Sequence, residues 1–80
     1  MAARFLYVAY NRTENFRALV LAENEEEALQ LMNDYSKEAK LSLGWEMLSI
    51  YIKDIENYNI DCDYIIQSDE YEPLYIDELL

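Results

Sequence analysis

Two seven-residue stretches near the N-terminus constrain the fold more than any other feature of this chain. Arg4 to Tyr10 reads Arg-Phe-Leu-Tyr-Val-Ala-Tyr, and Phe16 to Ala22 reads Phe-Arg-Ala-Leu-Val-Leu-Ala. Both are rich in aromatic, branched and small apolar residues, a composition that suits β-strands. In the first stretch Phe5, Tyr7 and Ala9 share one face, and Leu6, Val8 and Tyr10 share the other. Both faces are largely apolar, so this strand belongs in the middle of a sheet. The polar Asn11-Arg12-Thr13-Glu14-Asn15 between the stretches is the right length for a hairpin loop. A connection that short makes the two strands antiparallel.

The next segment carries helix signals. Asn24 is a good N-cap, and Glu27 three residues later suits a capping box. Glu25, Glu26 and Glu27 fall in the first turn, where carboxylates complement the helix dipole. Ala28, Leu31, Met32, Tyr35 and Ala39 follow helical spacing, with Leu29 widening the stripe. Lys37 and Lys40 lie at the other end, and Gly44, the one glycine, follows. The spacing predicts a helix over residues 24–40. The glutamate run is accounted for by the helix start and is not counted as a binding site.

Trp45 to Ile55 reads as a third strand, with Leu48, Ile50 and Ile52 expected toward the helix and Met47, Ser49, Tyr51 and Lys53 on the other face. Glu56 to Asn59 is turn-like. Ile60 to Gln67 predicts a fourth strand, with Tyr64 and Ile66 on one side and Ile65 on the other. Leu74 to Leu80 fits either a short strand or a helical turn. The expected fold is α+β: a small, mainly antiparallel sheet of three to four strands in the order β-β-α-β-β, with one helix on one face. Residues 1–80 make a single domain, without internal repeats or a low-complexity linker. A chain this short buries about 60 % of its unfolded surface, so each core residue counts.

Composition excludes several function classes. Histidine is absent, which removes the commonest general base and transition-metal ligand. There is no glycine-rich phosphate loop and no zinc-ligand spacing. The single cysteine, Cys62, forms no internal disulfide, and its neighbours Asp61 and Asp63 disfavour a thiolate. Asp61-Cys62-Asp63 opens like a calcium loop, but Ile65 stands where the third ligand belongs and the turn glycine is missing. The expectation is no enzyme, no cofactor and no metal. No apolar run approaches the roughly 18 residues of a membrane span. The chain therefore reads as soluble and cytoplasmic, in the host cytoplasm if it is phage-encoded.

Charge is the remaining lead. Asp54 to Leu80 holds nine acids and no Lys, Arg or His, whereas the first 53 residues hold eight acids and six bases. A nearly neutral body thus carries a strongly negative C-terminal third, within a net charge of −11. Such a surface repels nucleic acid and anionic membranes and attracts basic partners. Residues two apart on a strand lie about 6.6–6.8 Å from each other, and two steps along one DNA strand advance about 6.8 Å. Asp61 and Asp63 on a strand would present carboxylates at phosphate spacing, with Asp69, Glu70 and Glu72 extending the row. Asp54 and Glu56 begin it. Tyr58, Tyr64 and Tyr71 add rigid contact area with polar tips. These ten residues are the predicted partner-binding surface.

A short, histidine-free, acidic domain with tyrosines among its acids, as in Asp61-Cys-Asp-Tyr-Ile-Ile-Gln-Ser-Asp-Glu-Tyr-Glu72, resembles the small phage-encoded inhibitors of host defence. Anti-CRISPR proteins and other DNA mimics belong to that class. The resemblance implies a stoichiometric inhibitor that occupies a nucleic-acid channel of an effector such as a CRISPR complex, without binding nucleic acid itself. Two alternatives use the same sequence. One is an antitoxin or immunity-type protein that neutralises a basic toxin. The other is a small oligomeric domain, such as a homodimer assembled through the apolar tail Leu74 to Leu80, whose acids only confer solubility.

Overall fold

The computed structural model describes residues 4–58, 60, 64–67 and 74–75. The two N-terminal stretches form β1 (Phe5–Asn11) and β2 (Phe16–Ala22), paired antiparallel from Phe5↔Ala22 to Asn11↔Phe16. The loop closes through Asn15 in the left-handed region (φ 52°), which Asn tolerates well. The buried Asn11 side chain organises this end. Its Oδ1 accepts the Glu14 N–H at 3.1 Å, and its Nδ2 donates to the Ser42 carbonyl at 2.6 Å.

The α-helix α1 spans Glu25–Ala39. Asn24 Oδ1 caps it by accepting the Glu27 N–H at 2.8 Å. Glu27 reaches back one residue beyond the cap, accepting the Glu23 N–H at 2.7 Å. Ala28, Met32 and Ser36 form the buried line of the helix, with Leu31 and Tyr35 packed beside it. Leu29 and Ala39, expected in the apolar stripe, are exposed. The helix ends at Lys40, as the spacing predicts. Lys40 is left-handed (φ 58°), and the Leu41 N–H donates to the Ser36 carbonyl at 2.9 Å. That is a Schellman-type cap with lysine where glycine is usual.

Strand β3 (Trp45–Ile50) pairs antiparallel with the outer side of β1. It is shorter than expected, because Ile52–Asn57 forms a 3-10 helix instead of more strand. Its faces are also the reverse of the expectation. Trp45 and Met47 point to the helix side, while Ile50 packs on the far side and Leu48 is largely exposed. The indole explains the facing. Trp45 is buried, and its Nε1–H needs an acceptor there. The Ser36 hydroxyl of α1 provides it and itself donates to the Met32 carbonyl at 2.7 Å. Phe16 meets the Trp45 ring edge-on, with centroids 5.9 Å apart at 80°.

After the 3-10 helix come β4 (Tyr64–Ile66) and the two-residue β5 (Leu74–Tyr75). The sheet order is β3-β1-β2-β4-β5. β4 runs parallel to β2, and the other pairs are antiparallel. The α+β class with one helix on a mainly antiparallel sheet is therefore observed, with five strands and one parallel pairing. The stretches expected as strand or tail at residues 61–63 and 76–80 lie outside the described residues. Since β2, β3 and β4 point the same way, the chain makes two crossovers. It passes from β2 to β3 over one face through α1, and returns from β3 to β4 under the other face through the 3-10 helix. Direction and face both reverse, so the two crossovers share one hand.

The core accordingly has two layers. Tyr7, Ala9, Ala18, Val20 and Ala22 meet Ala28, Met32 and Trp45 on the helix side. Ala9 and Ala18, directly opposite each other, are fully buried and small enough for the helix to sit close. On the far side Leu6, Val8, Leu19 and Ile65 meet Ile55 of the 3-10 helix, flanked by Leu21, Ile50, Tyr58 and Ile60.

The Lys40 cap yields a stability prediction. A non-glycine residue in the left-handed region costs about 1–2 kcal/mol. Removing the lysine also loses a cation at the helix C-terminus, about 0.3–1 kcal/mol. Lys40→Gly should therefore stabilise the fold by ~0.5 kcal/mol and raise Tm by about 2–4 °C in a calorimetric scan. An unchanged or lower Tm would show that Lys40 is unstrained.

Candidate functional site

The acidic third begins inside the second core layer. The 3-10 helix places Ile55 against Leu6, Val8, Leu19 and Ile65, with 4 % of its surface exposed. Its chain neighbours then have nowhere to go but outward. Asp54 is half-exposed and Glu56 is exposed. The turn is closed by the Asp54 N–H donating to the Tyr51 carbonyl at 2.9 Å and the Tyr58 N–H donating to the Ile55 carbonyl at 3.1 Å. One buried isoleucine between two acids thus anchors the segment and turns its charges to solvent.

The predicted surface is only partly gathered by the described structure. Asp54 and Glu56 sit together on the 3-10 helix. Tyr58 is half-buried and packs with Ile60 against the second core layer, so part of its ring supports the fold and the rest is exposed. Tyr64 opens β4, where its backbone pairs with Tyr75 of β5. Asp61, Asp63, Asp69, Glu70, Tyr71 and Glu72 lie outside the described residues, and so does the expected alternation of Asp61 and Asp63 on a strand. β4 and β5 occupy the sheet edge remote from β3.

Half of the eight acids of the N-terminal body, Glu14, Glu27, Asp34 and Glu46, are engaged locally. Glu46 Oε2 is ion-paired with Arg12 Nε at 2.7 Å, both groups being exposed. A hydrogen bond with Tyr10, and after it the Glu46 carboxylate, raise the Arg12 pKa. Asp34 accepts the Gln30 amide at 3.0 Å. Glu14 Oε1 accepts the Ser42 hydroxyl at 2.6 Å and the Ser42 N–H at 3.2 Å. Asp54 and Glu56, like Glu23, Glu25, Glu26 and Glu38 of the body, make no side-chain hydrogen bond or ion pair with another described residue. Arg4, at the start of β1, reaches across to the end of β4, where its Nη1 donates to Gln67 Oε1 at 2.9 Å.

Among the described residues no three Cys, Asp or Glu side chains come together as a metal site. Nor is any described helix long and apolar enough to cross a membrane. Comparison with known proteins gives no match to a family model, a curated protein or a solved structure.

Two features went unread in the sequence. Ile55 is the anchor of the acidic segment, signalled by an isoleucine between two acids directly after an apolar strand. The exposed Leu48 follows from the reversed facing of β3, and the exposed Ile52 from the chain leaving the strand for the 3-10 helix.

The Glu14–Ser42 contact has a pH signature. The Ser42 hydroxyl first, and the Ser42 N–H second, hold the Glu14 carboxyl below its ordinary value. A depressed folded-state pKa contributes stability that is fully present above the unfolded pKa and is lost as pH falls through the folded one. Glu14→Gln should therefore be less stable than the native chain at neutral pH. The gap in urea midpoint should close as pH falls below the ordinary glutamate pKa of 4.5. A gap that stays constant over that range would contradict the assignment.

Proposed function

We propose that this protein is a non-enzymatic inhibitor that binds a basic, nucleic-acid-handling protein through its acidic, tyrosine-bearing C-terminal third, in the manner of an anti-CRISPR-like DNA mimic. The observation that carries the reading is the segregation of charge. Nine acids and no bases follow Lys53, behind a body with a net charge of −2. The mode of anchoring supports it. Ile55 holds the start of the segment to the core while Asp54 and Glu56 stay solvated, without a described partner.

A row of solvated carboxylates on a compact scaffold offers an Arg/Lys groove the same charge pattern as a phosphate backbone, and long-range attraction speeds encounter with it. The exposed part of Tyr58 adds apolar area next to those charges. The partner class is a protein that ordinarily holds nucleic acid, such as the effector complex of a defence system. The protein itself does not contact nucleic acid in this reading, because the acids would repel it.

The test is affinity capture from the native host, washed over a salt series. A basic partner should elute as salt rises, because screening weakens exposed ion pairs. Reversing Asp61, Asp63, Asp69 and Glu70 to Lys should weaken capture at least about tenfold, roughly 1.4 kcal/mol. Reversing Glu23, Glu26, Asp34 and Glu38 makes the same change in net charge outside the segment and should leave capture largely intact. Retained binding by the first variant with unchanged salt dependence would sink the proposal, as would equal losses in the two variants.

A further inference from the structure

The two edges of the sheet are not alike. β5 ends one side with two residues, and short edge strands are a common protection against unwanted pairing. The other side ends with β3, which is six residues long and pairs on its inner side with β1 without a break from Leu6↔Ile50 to Asn11↔Trp45. None of the usual edge defences is present in β3: no proline, no bulge, no lysine. Its one charge, Glu46, is held by Arg12. Leu48 within the strand is 46 % exposed, and Tyr51 and Ile52 directly after it are 75 % and 48 % exposed. Phe5, one residue before the Leu6 that pairs with Ile50, is exposed at the same end.

We infer that the β3 edge is a homodimer interface, at which two copies pair β3 antiparallel across a two-fold axis. Such an interface uses the same patch on both copies, so the patch must complement itself. It does so in the register centred on Ser49. Leu48 then lies opposite Ile50 of the second copy, and Met47 opposite Tyr51, whose backbone is still extended (φ −92°, ψ 148°). Glu46 falls at the end of the ladder, level with the start of the 3-10 helix at Ile52, and never opposite itself. Residues facing each other in this register share a sheet face, as antiparallel pairing requires.

Charge also favours a second copy at this edge. A chain of net charge −11 resists self-association, but its charge is not evenly spread. β3 and β4 are separated by β1 and β2, so β4, the first strand of the acidic third, lies about 14 Å from the β3 edge at ordinary strand spacing. That exceeds the Debye length of about 8 Å at physiological salt. The charges on β3 and on the 3-10 helix that follows it are mixed: Glu46, paired with Arg12; Lys53, whose Nζ sits 5.8 Å from the centre of the Tyr51 ring; and Asp54 and Glu56 beside it. Two six-residue strands and four flanking apolar side chains bury an area at the lower end of stable interfaces, about 1,200 Å² or less. The dimer is therefore concentration-dependent. It forms one continuous sheet with the two β4–β5 edges at its far ends. If the partner-binding reading above holds, each dimer presents two binding surfaces.

Sedimentation velocity over a concentration series from about 1 μM to about 1 mM tests this. The native chain should move from the mass of one chain to that of two. Leu48→Lys should stay at one chain throughout, with a cooperative thermal transition showing that it is folded. Tyr51→Lys, at the most exposed of these positions, carries the same test if Leu48→Lys fails to fold. A native chain that remains monomeric at the top of the range would overturn the inference. So would a dimer that survives both substitutions, or one lost only when residues 74–80 are deleted. None of these outcomes depends on the identity of a basic partner.

Discussion

The structure depends on one constraint: a hairpin that is apolar on both faces must be covered twice. Leu6, Val8 and Leu19 point one way from β1 and β2, and Tyr7, Ala9, Ala18 and Val20 point the other. Burying an aliphatic side chain is worth about 1.5–3 kcal/mol, and small domains have little stability to spare. The one α-helix among the described residues can cover only one face. The second cover comes from the C-terminal third, through the 3-10 helix and Ile55.

That requirement ties the acidic segment to the body. A stretch with nine acids and no bases repels itself and gains little from collapse. It is nevertheless interspersed with isoleucines, and Ile55, Ile60 and Ile65 reach the second core layer. Apolar burial supplies what electrostatics withholds, and Glu56, just past the first anchor, stays exposed. The same crossover carries the chain away from β3, so the strands β4 and β5 and the apolar edge of β3 end up on opposite sides of the sheet. One path of the backbone starts the acidic third at Asp54, just past the β3 edge, and carries it to the opposite edge of the sheet.

Local chemistry was legible where it was self-sufficient. The β1–β2 hairpin could be read from its apolar strands and polar loop, and the start of α1 from Asn24 and the glutamates behind it. Legibility failed where a distant partner decides. Leu48, Ile50 and Ile52 look like the buried set of a strand because they are the more apolar residues. The buried Trp45 indole, bonded to Ser36 on α1, outweighs them and turns the alternation over. The 3-10 helix is likewise invisible to a period-two reading, since Leu48, Ile50 and Ile52 alternate cleanly up to the point where the chain must leave the edge. The parallel pairing of β4 with β2 follows from that crossover and from no local signal. Of the acidic surface, the structure places Asp54, Glu56 and Tyr58, and it shows Tyr58 shared between surface and core.

The account stands or falls on Ile55 as the second cover. The direct measurement is the urea unfolding free energy of Ile55→Ala beside that of Ile52→Ala, the two lying on the same 3-10 helix. Ile55 is buried beneath the sheet, and its truncation should cost about 2–4 kcal/mol. Ile52 is half-exposed, and its truncation should cost less than about 1 kcal/mol. Equal, small losses at the two positions would mean that the far face of the hairpin is not held by the acidic third, and the link between core and charged surface would be gone.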